Sequence, residues 1–138
     1  MRGRDALGRP VPAGDPTAVP PVPEQALPPG EALVLAQALL DEGRAFAAHE
    51  VLEASWKAAP PGQRQLWQGL AQVCVGVTHL QRGNRVGAIR LLLRGAGNLG
   101  AHPVATQALA AAAAVEAGSD LLPEIRLPGS GTPPLAPG

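Results

Sequence analysis

The placement of proline limits what this chain can fold into more than any other feature of its sequence. Of the 16 prolines, eight lie in residues 1–30 and five in residues 118–138, and the stretch between is interrupted by Pro60, Pro61 and Pro103 alone. Proline breaks helix interiors and central strands, so regular structure is expected within residues 31–117. Pro- and Gly-rich ends without an apolar period are typical of disorder. We therefore predict a disordered segment 1–29, a folded domain 30–128 and a disordered tail 129–138.

Within the domain, the apolar residues follow a helical period. They recur at spacings of three and four, and no run alternates with the period of two that a strand requires. The prediction is an all-α fold, a single bundle of about five helices with disordered Pro-rich termini. The helices are expected at about Glu31 to Gly43, Arg44 to Ala59, Gln63 to Arg82, Arg85 to Asn98 and Pro103 to Ala117.

Two details of this pattern concern packing. The third helix is apolar on most sides, and its Gly69 and Gly76 lie seven residues apart on one face. Because glycine costs about 1 kcal/mol relative to alanine inside a helix, we expect a neighbouring backbone to pack closely there. After the fifth helix, residues 121–128 contain enough Leu and Ile to dock as an extended strap.

Charge and cysteine usage limit the class of partner. Eleven basic and eleven acidic residues cancel, and aromatic residues are few, so we expect no nucleic-acid partner. The lone Cys74 fits a reducing compartment, and no apolar stretch approaches the roughly 20 residues of a membrane span. The expected location is cytoplasmic, without membrane contact.

A domain this small has a modest core, and we expect it to associate as a homodimer.

The polarity of the domain is concentrated in its second helix. His49 and Glu53 lie four residues apart, with Glu50 and Trp56 beside them, and such spacing places side chains along one edge of a helix. The third helix carries one polar stripe, which consists of Gln68, Gln72 and His79. If these two edges face each other, they form a polar cleft between helices two and three.

Three interpretations of this cleft remain open. His49 and Glu53 fit a structural hydrogen-bond network, the usual role of buried polar groups. They also fit a ligand pocket, or a catalytic pair in which Glu53 orients the imidazole. A metal site would use His49, Glu53 and His79, but His-x-x-x-Glu alone supplies two ligands, and we expect no cofactor.

Two further groups carry weaker signals. Asn84 follows Gly83 at the start of the fourth helix and is typical of an N-cap, although we also count it among the binding candidates with Arg94. Arg85, Arg90 and Arg94 follow one another without an intervening acid and could clamp an anion or RNA. A solvated helix face explains the same pattern.

Three segments together resemble a known family. They are Phe46 to Trp56, Gln68-Gly69-Leu70, and Gly83 to Ala88. In this order they are similar to the family called domain of unknown function 309, and the resemblance covers about residues 31–127. It implies a small cytoplasmic helical bundle and supplies no activity.

The sequence thus favours a small helical interaction or ligand-binding module, with its polar cleft between helices two and three. The alternative is a metal-assisted or His/Glu-based hydrolase that uses His49 and Glu53. A second alternative is an anion or RNA binder through Arg85, Arg90 and Arg94. The identity of any partner is left open.

Overall fold

The chain folds as an all-α bundle, which confirms the predicted fold class. The computed structural model describes residues 3–129, and this part contains five helices and one short antiparallel hairpin. The elements in chain order are β1 (Gly3–Arg4), β2 (Pro10–Val11), α1 (Pro29–Asp41), α2 (Ala45–Ala58), α3 (Pro61–Gln81), α4 (Arg85–Leu99) and α5 (Pro103–Glu116). Within the described range, no helix is both long and apolar enough to cross a bilayer.

Each helix packs mainly against its neighbours in the chain, with α3 in the middle. At 21 residues α3 is the longest helix, and it contacts α2 on one side and α4 on the other. Nine of its residues are buried, as its apolar pattern predicts. Leu52 of α2, Leu70 and Val73 of α3 and Leu92 of α4 are the largest side chains at the centre of the core. This arrangement leaves one side of α2 facing away from the core.

Glycines set the distance between α3 and α4. A Cβ placed on Gly69 would lie 2.8 Å from Cγ of Leu99 and 3.1 Å from the carbonyl oxygen of Gly95, and a Cβ on Gly76 would lie 2.8 Å from Cγ of Leu92. Conversely, a Cβ on Gly95 would lie 2.9 Å from the carbonyl oxygen of Gly69. The close helix contact expected from the spacing of Gly69 and Gly76 is present, and α4 makes it.

The turns of the two helix pairs α1–α2 and α3–α4 are built alike. Gly43 and Gly83 have φ values of +78° and +80°, and each closes its helix with backbone hydrogen bonds to the last turn. Asn84 then caps α4, because its side-chain oxygen accepts a hydrogen bond from the amide of Gly87 at 2.9 Å. The N-cap role predicted for Asn84 is therefore confirmed.

The C-terminal strap docks across α1 and α5. Gln37, buried in α1, donates to the carbonyl oxygen of Ile125 at 3.0 Å and accepts from the amide of Leu127 at 2.8 Å. Gln107 of α5 makes the corresponding pair of hydrogen bonds with the backbone of Arg126. The strap thereby joins α1 and α5, the first and last helices, which are not neighbours in the chain.

The N-terminal segment, residues 3–28, differs from the disorder expected for residues 1–29. It forms the β1–β2 hairpin, and the carboxylate of Asp5 holds the intervening turn by accepting from the amides of Leu7 and Arg9. The segment then continues along the bundle to Pro28, the N-cap position of α1. Local turn chemistry and contacts to the helices order this segment without a periodic apolar face. Residues 1–2, and all but Gly129 of the predicted disordered tail, lie outside the described residues.

Candidate functional site

The polar edge of α2 is an ion-pair chain along one helix. Nε2 of His49 lies 2.7 Å from the carboxylate of Glu53, and Nζ of Lys57 lies 3.0 Å from the other oxygen of the same carboxylate. The three side chains are four residues apart and therefore project from one edge of the helix. The hydrogen bond from Lys57 lowers the pKa of Glu53, and the charge of His49 acts in the same direction against the cost of burial. The pair predicted between His49 and Glu53 is thus formed.

One ring nitrogen of His49 is paired with a carboxylate, and the other is shielded from solvent. Nε2 faces Glu53, while Nδ1 is shielded from solvent and has no hydrogen-bond partner among the described residues. The ring lies against Phe46, with the ring centroids 5.3 Å apart. Nδ1 is therefore out of reach of a substrate, and Nε2 is engaged by Glu53.

A small cavity opens beside this ion-pair chain. It measures about 210 Å³ and lies between α2 and the N-terminal segment. Glu50 and Glu53 of α2 and Glu24 of the segment supply three carboxylates, and Lys57 supplies one ammonium. Val22, Pro23 and Ala54 complete the wall. The remaining α2 candidate, Trp56, is half-buried against the core, with the guanidinium of Arg64 5.7 Å from its ring centroid.

The polar stripe of α3 is bonded to α4 and its turn. The side-chain oxygen of Gln72 accepts from Asn98 of α4 at 2.6 Å, and Nδ1 of His79 lies 3.2 Å from the side-chain nitrogen Nδ2 of Asn84. Gln68 is half-buried and makes no side-chain hydrogen bond among the described residues. This differs from the predicted cleft, in which the α3 stripe faces His49 and Glu53. The helical period gives the edge of a helix on which a residue lies, whereas the rotation of the helix in the bundle decides which neighbour that edge meets.

The three proposed metal ligands do not form one group, although His49 and Glu53 contact each other. In the described range, no three His, Cys, Asp or Glu side chains are grouped so as to hold a metal ion. His79 lies in the last turn of α3, where burial lowers its pKa and the charge of Arg82 adds to that effect. Cys74 is fully buried in the core, and this burial raises the pKa of its thiol to about 12. A thiol in this state is a packing residue and not a nucleophile.

The three arginines of the anion hypothesis have different surroundings. Arg85 donates to the carbonyl oxygens of Val115 and Ser119 and pairs with Asp120 at 3.3 Å. It therefore satisfies the carbonyl end of α5, where the helix dipole favours a cation. Arg90 and Arg94 are exposed on α4. Two of the three guanidinium groups thus remain available to an anion.

A family model agrees with this geometry. The family described as domain of unknown function (DUF309) matches residues 33–91, which run from α1 into α4. This part of the chain is therefore similar to the DUF309 family. The uncharacterized protein YpuF of Bacillus subtilis (strain 168) is 44% identical over 48 residues, which make up 34% of this chain and 28% of that relative. The chain thus matches less than a third of the relative's length, and no solved structure matches it.

The helical bundle holds one group of contacts that the sequence did not indicate. Phe46, the single phenylalanine of the chain, lies between the guanidinium groups of Arg4 and Arg82, at 4.9 Å and 5.5 Å from its centroid. Arg82 also donates through Nε and a terminal nitrogen to the carbonyl oxygen of Leu7, at 2.9 Å and 2.6 Å. These contacts join residues far apart in sequence, so no spacing rule reveals them. The one available signal is Phe46 itself, a large aromatic residue in a helix that is otherwise rich in alanine.

Proposed function

We propose that the chain is a non-catalytic interaction module that binds its partner through the polar edge of α2. The observation that carries this proposal is the state of His49, whose Nε2 is engaged by Glu53 and whose Nδ1 is shielded from solvent. A general base needs a nitrogen within hydrogen-bond reach of the proton it removes. The arrangement therefore supports a binding role over the hydrolase alternative, which remains to be tested directly.

The cavity beside His49 suggests the chemistry of the bound group. Glu53 is already paired with His49 and Lys57, but Glu24 and Glu50 add two further carboxylates to the lining, so a cationic group is favoured electrostatically. A volume of about 210 Å³ suits a guanidinium or a primary amine, which a basic side chain of a partner protein would supply. Partly exposed ion pairs contribute about 0–1 kcal/mol each. An isolated cationic fragment should therefore bind with millimolar or weaker affinity, since a Kd of about 1 mM corresponds to about 4 kcal/mol.

The test is a titration of the full chain with agmatine, a guanidinium-bearing amine, followed by amide chemical shifts in NMR spectra. We expect saturable shifts centred on Glu50, Glu53 and Ala54, and no such shifts with acetate. Glu50→Gln should weaken binding several-fold, because it removes one of three carboxylates from the cavity wall. Glu116→Gln is the matched control, since Glu116 is an exposed carboxylate at the end of α5.

Two results would contradict the proposal. One is an equal loss of agmatine affinity in the Glu50 and Glu116 variants, which would show that overall charge and not the cavity attracts the probe. The other is ester hydrolysis by the purified protein that His49→Ala abolishes, or a stoichiometric bound metal in elemental analysis. Either form of the second result would favour the hydrolase alternative.

A further inference from the structure

From the contacts of the N-terminal segment we infer that the face of the helical bundle around Phe46 is a docking surface for an extended, Gly- and Pro-containing peptide, and that residues 3–28 occupy it as an intramolecular ligand. This inference rests on the proposed function, because the surface adjoins the α2 cavity, and it names the class of partner. It concerns three residues of the domain, Arg44, Phe46 and Arg82, which we call the Phe46 face.

The hydrogen bonds from Arg82 and Arg44 hold the segment by its backbone. Arg82 donates twice to the carbonyl oxygen of Leu7, and Arg44 donates to the carbonyl oxygen of Pro20 at 2.6 Å. Both acceptors are main-chain groups, so these bonds select an extended chain that offers carbonyls. A proline suits such a position because it offers a carbonyl and lacks an amide hydrogen that would need a partner.

Burial within the segment is slight. Among residues 3–28, Gly8 alone is buried, while Val22 and Leu27 are partly buried against the core. A segment required by the core would bury large apolar side chains, as Ile125 and Leu127 do in the C-terminal strap. The N-terminal segment is therefore held by surface contacts, which a competing chain of similar chemistry could replace.

Gly8 supplies the steric selectivity. It lies directly on the ring of Phe46, so that a Cβ at this position would overlap the ring, and its φ is +81°. Gly14 has the same backbone conformation, with φ at +80°, but nothing lies within 4 Å of the position of its Cβ. A peptide that docks on the Phe46 face therefore needs a glycine at the ring.

The segment also forms one wall of the α2 cavity. Val22, Pro23 and Glu24 line it opposite Glu50 and Ala54. Release of the segment would open the cavity and the Phe46 face together, so that a partner could occupy both with a single extended chain. The bound N-terminal segment lowers the apparent affinity for such a partner, because only the fraction of molecules with a released segment can bind the partner.

The experiment compares the full chain with its Gly8→Ala and Gly14→Ala variants. Both substitutions place alanine in the same left-handed conformation, but only Gly8→Ala collides with Phe46. The first measurement is hydrogen exchange followed by mass spectrometry. We expect faster exchange of residues 3–22 in Gly8→Ala than in Gly14→Ala, with the exchange of α3 unchanged.

The second measurement is the fluorescence anisotropy of a labelled synthetic peptide of residues 3–24. Gly8→Ala should bind this peptide about tenfold or more tightly than the wild type or Gly14→Ala, because its own segment no longer competes. The same substitution made in the peptide should abolish binding, and Arg82→Ala added to the Gly8→Ala chain should weaken it. Gly8→Ala thus strengthens peptide binding when it is made in the chain and abolishes binding when it is made in the peptide.

Several outcomes would overturn the inference. One is equal hydrogen exchange of residues 3–22 in the two glycine variants, and another is a released segment in a chain that does not bind the peptide. The third is a Gly8→Ala chain that dimerises in light scattering and does not bind the peptide, since the occupant would then be a second copy. If Gly8→Ala loses its helical circular dichroism, Arg4→Ala replaces it, because that change removes the contact to Phe46 and the hydrogen bond to Gly8 without altering the domain. Its control is Arg9→Ala, which removes only an exposed ion pair with Asp5. Agmatine binding is measured separately, so failure of the peptide alone would leave the proposed function intact.

Discussion

Substitution of Gly95 by alanine tests whether the close contact between α3 and α4 controls the stability of the bundle. A Cβ on Gly95 would lie 2.8 Å from Cγ2 of Val73, 2.9 Å from the carbonyl oxygen of Gly69 and 3.1 Å from the amide nitrogen of Val73. Two of these three atoms belong to the backbone of α3, so the strain cannot be relieved by rotating a side chain. The two helices must move apart.

Gly97 provides a matched control in the same helix. It is exposed, and nothing lies within 4 Å of the position of its Cβ. Alanine at either position gains up to about 1 kcal/mol of helix propensity over glycine. Because both variants share this gain, the difference between them measures the packing cost alone.

The expected magnitude follows from overpacking. Extra atoms in a well-packed core cost about 1–3 kcal/mol, so Gly95→Ala should be about 1–3 kcal/mol less stable than Gly97→Ala. Relative to the wild type, Gly97→Ala should be stabilised by up to about 1 kcal/mol and Gly95→Ala destabilised by up to about 2 kcal/mol.

Urea denaturation followed by circular dichroism at 222 nm measures these free energies of unfolding. Thermal midpoints should differ between the variants by several degrees, since about 1 kcal/mol shifts the midpoint of a domain this size by about 4–8 °C. Equal stability of the two variants would refute the reasoning, because it would mean that α3 and α4 can separate at no cost.

Two further predictions concern single side chains. Burial and Arg82 lower the pKa of His79 below 6.5 in the folded state, so the unfolded state binds more protons and stability falls as the pH drops below that value. His79→Gln should therefore reduce the loss of unfolding free energy between about pH 7 and pH 5. An unchanged pH profile would contradict this. Gln37→Ala leaves the buried amide of Leu127 and carbonyl of Ile125 without their partner, which should cost about 1–3 kcal/mol in urea denaturation and speed proteolysis within residues 121–127. Unchanged protection of that strap would show that its apolar side chains alone hold it.

The local structure of the bundle was largely predictable. Helix periodicity, the glycine ends at Gly43 and Gly83 and the cap at Asn84 depend on residues within a turn of each other, and all are present. The helix starts were less accurate. α1 begins at Pro29 and not at Glu31, and α3 begins at Pro61 and not at Gln63, because the first turn of a helix has amides without partners and proline costs nothing there.

In the candidate site, too, contacts between residues close in sequence were predictable, and contacts between helices were not. The ion pair of His49 with Glu53 lies within one helix, so its spacing in the sequence was sufficient to predict it. The partner of Gln72 depends on how α3 is rotated against its neighbours, and that rotation is set by the whole core. Its hydrogen bond with Asn98 could therefore not be read from the polar stripe. The contact of His79 with Asn84, in contrast, is local and spans five residues across the turn after α3.

What the sequence determined by itself is the set of helices, their caps and the pairs formed within one helix, since these interactions join residues three or four positions apart. Only the tertiary structure decided how the N-terminal segment lies on the Phe46 face. Its contacts join Leu7 to Arg82 and Pro20 to Arg44 through main-chain carbonyls, and every residue carries such a carbonyl. An interaction whose acceptor is the backbone leaves no residue type to recognise, so the packing of the folded chain alone reveals it.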